Sequence, residues 1–288
     1  MSKHIQKLDN LEEYQLLPSI ADKIKQIEPR IQSGKYLTLI ASFAGQLIDG
    51  VAISWTNSMH PHALYSKVVS ADSGEDLMDY LIKSNKSYTK VITSCFSDEA
   101  AEVSKVKKMG FVEFRKTYEV EIEIEILLEK LAYSDNCNNH ATLQEALKNE
   151  QVGESLFQLL KVNYEQTHLD NPVAQLPWQE WKKILLEDTP DLKTSKILLN
   201  DGLVRGYSFV HPIIEEHYEI GWMAYGEQNE LQEALRTQLG ELKNRGIRTV
   251  GFEIDTTDHF AYSLKEILGL EKERSWNSYK YEREFIEV

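Results

Sequence analysis

The stretch KMGFVEFRKTYEVE (108–121) returns in altered form near the far end of the chain as ILGLEKERSWNSYKYE (267–282), with Gly110 matching Gly269 and Arg115 matching Arg274. Gly50 and Gly206 also stand at one place, in what reads as the second strand of a hairpin in each half. Duplication at so long a period constrains the fold more than any local signal, because each copy must build the same order of elements around its own core. The 288 residues leave about 140 for each copy, enough to bury a sheet-plus-helix core.

Each half can be read through its hydrophobic period. Residues 11–27 read as a helix, and YLTLIASFAG (36–45) with LIDGVAISW (47–55) as a hairpin turning at Ala44 and Gly45. Strand ALYSKVVS (63–70) leads to a helix from Gly74 with Leu77, Met78 and Leu81 on one face, then strand KVITSCF (90–96) and a helix stopped at Gly110. Val120, Ile122, Ile124 and Ile126 then alternate with Glu119, Glu121, Glu123 and Glu125, which predicts one half-buried strand.

The Asn-rich stretch YSDNCNNH (133–140) predicts a boundary between domains at 1–132 and 141–288. Beyond it come a helix through Leu156, Leu159 and Leu160, a second around Trp178–Leu186 anchored by Trp178 and Trp181, and strand SKILLN (195–200). An Asp201-Gly202 turn joins that strand to LVRGYSFV (203–210). Strand HYEIGWMAY (217–225) feeds a helix with Leu231, Ala234, Leu235, Leu239 and Leu242 on one stripe. Strand RTVGFEI (248–254), helix HFAYSLKEIL (259–268) closed by Gly269, and terminal strands complete the order.

A net charge of −14, with no long basic stripe, excludes nucleic acid and anionic membrane surfaces as favoured partners. The N-terminal MSKHIQKLDN has no signal-peptide core and no run reaches the length of a membrane span, so a cytoplasmic protein is expected. Two cysteines, Cys95 and Cys137, are too few for a disulfide framework, and Cys95 in VITSCF reads as a buried thiol rather than a nucleophile. HPH at 60–62 reads as a loop, and no metal is expected.

The repeated order, with HLDNP (168–172), EIGWMA (219–224) and DHFAYSLKEILGL (258–270) in the second half and VKKMGF (106–111) in the first, resembles the GNAT N-acetyltransferase family as a tandem pair. The resemblance covers nearly the whole chain. It implies an α+β fold, a mixed α/β architecture in which two acyl-CoA N-acyltransferase domains each carry a central, mostly antiparallel sheet flanked by helices. It also implies acetyl-CoA as co-substrate and the amine of a small molecule or peptide as acceptor. Such a reaction needs a base near neutral pKa within reach of the amine, and backbone donors at a helix N-terminus for the CoA diphosphate.

By that resemblance Glu219 stands on the strand of the general base, with Tyr262 as a possible acid in place of a tyrosine at 265, where this chain has Lys265. Acyl-CoA is expected at Ala224, Tyr225, Gly226, Gln228, Gln232, Asp258 and Lys265, and the acceptor at Trp222, Trp276 and Tyr279. ALYSKVVS offers no carboxylate, so the second half is the expected seat of chemistry and the first a non-catalytic companion. The chain departs from the family in its phosphate loops, where glycines give way to Glu227, Glu230 and Gln232 in the second half and to Val69 and Asp72 before Gly74 in the first. Asn229 with Gln232, and Ser73 with Asp76, read as capping boxes that fill those helix ends. An alternative therefore stays open, in which a GNAT-like module has lost turnover and binds a ligand or a protein. Nothing in the sequence fixes an oligomeric state.

Overall fold

The computed structural model describes residues 4–131, 140–214, 216–270 and 273–283. In chain order the elements are β1 (His4–Lys7), α1 (Pro18–Ile24), α2 (Glu28–Gln32), β2 (Thr38–Ala44), β3 (Leu47–Asn57), β4 (His60–Ser70), α3 (Gly74–Ser84), β5 (Lys90–Phe96), α4 (Ala100–Lys108), β6 (Val112–Glu123) and α5 (Ile124–Lys130). Then follow β7 (His140–Thr142), α6 (Leu143–Ala146), α7 (Glu150–Thr167), α8 (Trp178–Glu187), β8 (Lys196–Asn200), β9 (Leu203–Ile214), β10 (His217–Ala224), α9 (Gln228–Asn244), β11 (Thr249–Asp255), α10 (His259–Leu268) and β12 (Trp276–Glu282).

These form two compact units. The first gathers the described residues of Met1–Phe114, Asp170–Ala174 and Asn277–Val288, and the second those of Arg115–Leu169 and Gln175–Trp276. In the first unit the strands run in the order β1-β2-β3-β4-β5-β12. The pairings from β1 to β4 are antiparallel and β4 with β5 is parallel. In the second the order is β7-β8-β9-β10-β11-β6, again antiparallel up to β10, with β10 parallel to β11. One plan is built twice, as the repeat requires.

Glycines carry that plan physically. At Gly110, Gly246 and Gly269 the chain turns left-handed, with φ of 85°, 87° and 75°. The next amide reaches back five residues each time: Phe111 to Val106, Ile247 to Leu242, Leu270 to Lys265, at 3.3, 3.1 and 3.1 Å. Each of those following residues is buried, the hydrophobic contact that closes such a cap. Gly50 and Gly206 share another role, since each lies beneath the chain that leaves the neighbouring strand. A methyl on Gly206 would meet the Ala224 carbonyl oxygen and the Tyr225 ring at 2.6 Å, and one on Gly50 would strike Ser73 and Leu77. Asp201 and Gly202 both have positive φ, 51° and 77°, the two-residue turn expected of that pair.

Several expectations are corrected. Pro18 at the start of α1 delays the helix expected from residue 11. The glutamate–isoleucine alternation stops at Glu123, where Ile124 and Leu127 turn inward at helical spacing in α5 and leave Ile126 42% exposed. HPH is no loop: His60 opens β4, is buried, and its Nδ1 donates to the Asn171 carbonyl at 2.7 Å. Among the described residues a single strand, β12, follows α10, where terminal strands were expected. The units are not the contiguous halves 1–132 and 141–288, because the last strand of each half joins the other unit: β12 falls in the first, and β6 from Arg115 onward in the second. Of the expected boundary stretch, residues 133–139, with Cys137, lie outside the described residues.

Candidate active site

In the second unit, β10 and β11 pair only at Glu219 with Gly251 and Ile220 with Phe252. Just beyond, β10 breaks register with β9 between Gly221 and Met223, and Trp222 takes a left-handed φ of 50°. A bulky residue adopts that conformation at a cost of about 1–2 kcal/mol, which the surrounding packing must supply. The bulge parts the two strands and turns Trp222 toward α7, where its ring meets Tyr164 at 5.4 Å between centroids. The result is a cavity of about 190 Å³, roofed by the last turns of α7 and closed by the start of α10.

Four carboxylates line it: Glu219, Glu253, Asp255 and Asp258. Two are spoken for. Asp255 accepts from Arg115 at 3.3 Å and from the Thr117 hydroxyl. Asp258 caps α10 by accepting the Phe260 and Ala261 amides at 2.9 and 3.2 Å. Glu219 and Glu253 have no hydrogen bond or ion pair among the described residues. The cavity walls and the charges of Asp255 and Glu219, against Arg115, push Glu253 up to about 7, although its side chain keeps solvent contact. Desolvation also raises Glu219, with Asp188 and Glu119 adding to it and His217 opposing. A carboxyl that titrates near neutrality inside a cleft is the mark of an acid–base site.

Of the residues expected in the site, Glu219, Trp222 and Asp258 line the cavity. Tyr262 does not. It lies on the outer side of α10, where Lys265 sits over its ring at 5.3 Å and over Tyr118 at 5.0 Å. Tyr279 belongs to the first unit's core, fully buried, with its hydroxyl 3.2 Å from Glu113, and Trp276 is absent from the lining. Ala224 and Tyr225 are buried in packing, Tyr225 against Gly206. The sequence reading missed Glu253, Tyr207, Asn163 and Tyr164. Only Glu253 left a signal, as the acid alternating with Val250, Phe252 and Ile254.

The phosphate loops differ from their expected caps. Glu227, not Asn229, stands at the N-cap of α9, in a capping box whose Glu230 carboxylate accepts from the Glu227 amide at 3.1 Å. Gly226 and Gln228 flank this box, and Gln232 lies one turn further into α9. Ser73 does not cap α3; its hydroxyl turns to the buried Asp49 and Ser42.

The first unit has a counterpart cleft. Its β4–β5 pairing ends at Ser66 and Thr93, and a cavity of about 230 Å³ follows, lined by Lys67, Lys105, Gly74 and Cys95 among others. Glu99 and Glu102 there are engaged by the Phe96 amide and by Lys105. Burial pushes the Cys95 thiol up to about 11, so it stays neutral and unreactive. Among the described residues no three His, Cys, Asp or Glu side chains form a metal set, and no helix is long and apolar enough to cross a membrane.

A six-strand plan with one splayed parallel pair, built twice, is the tandem GNAT fold. Along 99% of its length the chain is similar to a GCN5-related N-acetyltransferase from Sphaerobacter thermophilus, 98% of which is covered, at a TM-score of 0.62 and 12% identity. A tandem GNAT protein from the clavulanic acid biosynthesis pathway matches over 98% of both chains, with a TM-score of 0.56 and 9% identity. No family model matches the sequence. No curated protein matches it either.

Proposed function

We propose that the second unit transfers an acyl group, acetyl in the simplest case, from acyl-CoA to the amine of a small molecule or peptide held in the Glu219–Glu253 cavity. The observation that carries this reading is the pair of carboxylates, Glu219 and Glu253, that line the cavity at a splayed parallel strand pair with no partner among the described residues, the Glu253 carboxyl being raised by its surroundings. An ammonium group enters a cavity of negative charge, Glu253 takes its proton, and the free amine attacks the thioester carbonyl. The C–N bond forms, the C–S bond breaks, and the nitrogen's surplus proton ends on the departing CoA thiol. Deprotonated Glu253 is the active form, so the rate rises with pH through about 7. Glu219, the base expected from sequence, stays in the cavity as the second negative charge.

One observation favours a second reading, an amine-binding module without turnover. The Glu227 and Glu230 carboxylates cover the first turn of α9, where a CoA diphosphate would need backbone amides. Release of CoA thiol from acetyl-CoA, measured over a panel of amines, separates the two. Glu253→Gln should lower kcat/KM by about 10²-fold and remove the rise with pH. If no amine releases thiol while amines still bind, the second reading holds.

A further inference from the structure

The reaction just described uses one carboxylate, yet the cavity holds two, Glu219 and Glu253, that have no partner among the described residues. Glu219 stands opposite Gly251, two residues before Glu253 on the same strand. Its Cγ lies 3.7 Å from where a methyl on Gly251 would sit, so the side chain leans across β11 on the face that Glu253 shares. Strand spacing puts the two Cα atoms roughly 8 Å apart. On the α7 side of the cavity stand the rings of Trp222 and Tyr164, with His168 stacked on Tyr164 at 3.9 Å between centroids, and the aromatic faces can take a cation.

Two like charges in one cavity repel, and the neighbours relieve them only in part: Arg115, which opposes the rise at Glu253, also holds Asp255, and His217, which opposes it at Glu219, stands 3.5 Å from Glu121. A ligand with one ammonium group leaves one carboxylate exposed to that repulsion. A ligand with two neutralises both. From this we infer that the acceptor is a diamine or polyamine, its reacting nitrogen at Glu253, its second ammonium at Glu219, and an alkyl spacer of roughly four carbons along the Trp222–Tyr164 wall. The inference rests on the cavity being the acceptor site. Acetylation removes only the charge at Glu253, so the second ammonium holds the molecule in register while the first reacts.

The test compares 1,4-diaminobutane with 1-aminobutane, by calorimetric titration at low ionic strength and by acetyl transfer. The wild-type protein should bind the diamine at least about ten-fold more tightly, as an added partly buried ion pair implies. In Glu219→Gln the two affinities should come within about two-fold of each other, whereas Glu219→Asp should keep part of the preference. Equal affinities in the wild type, no binding of either, or an equal loss of both in Glu219→Gln would overturn the inference. Diamine preference without thiol release defeats acyl transfer and leaves the ligand class standing. Thiol release without diamine preference does the reverse.

Discussion

A carboxyl held near neutrality changes stability apart from any activity. The folded pKa of Glu253 lies above its unfolded value, so the folded state binds more protons between about pH 4 and pH 7. Stability therefore falls as pH rises through that window, and the cost is complete above it. Glu253→Gln removes the cost: its Tm should exceed the wild type's at pH 8 and match it at pH 4. The gain should stay below about 1 kcal/mol, because the side chain is solvent-exposed and the charges around it are screened. A Tm difference independent of pH would show that Glu253 ionises normally. Gly206 tests the packing side of the same unit. Gly206→Ala drives a methyl against the Ala224 backbone oxygen and should destabilise by about 2–3 kcal/mol in denaturant titration. Gly202→Ala, where nothing lies within 4 Å, should cost only the left-handed backbone, about 1 kcal/mol.

At the scale of elements, α9 begins under its own capping box, and that box opposes the diphosphate of an acyl-CoA. Glu230→Ala removes the carboxylate that accepts the Glu227 amide and should cost the helix about 1 kcal/mol. It also removes a negative charge from the first turn, so acetyl-CoA should bind more tightly at low salt, by several-fold. Tight binding by the wild type that weakens in the variant would mean the phosphates lie elsewhere. Elements of this kind were partly legible. Gly269, the Asp201-Gly202 turn and the α9 stripe are written in local chemistry, and the structure has all three. The cap of α9 was misplaced by two residues because Asn229 suits an N-cap better than Glu227 in isolation. Glu253 stayed out of the expected site for a different reason. Its meeting with Glu219 depends on the register of a parallel pair, and parallel register is set by distant packing rather than by a turn.

At the scale of the whole chain, sequence halves and compact units do not coincide. The duplicated segments at 108–121 and 267–282 mark the strands whose unit lies in the other half, which a linear reading assigns to their own half. In the first unit, β12 lies next to β5, with Ser278 Oγ 3.1 Å from Ser94 Oγ, Glu282 3.3 Å from Lys90, and the Arg283 amide donating to Thr89 at 3.0 Å. Tyr279 fills its core and is fully buried. A fragment of residues 1–132 therefore lacks a core side chain and bares a strand edge of unpaired N–H and C=O groups, a template for aggregation. Residues 141–288 made alone lack β6, the partner of β11 from Thr249 to Asp255. Each fragment expressed singly should be insoluble or lack a cooperative thermal transition. Expressed together they should recover as a soluble 1:1 complex, since each carries the strand the other lacks. Soluble, cooperatively folded single fragments would show that β6 and β12 can each complete the sheet of their own half, and the contiguous division of the sequence would then be the right one.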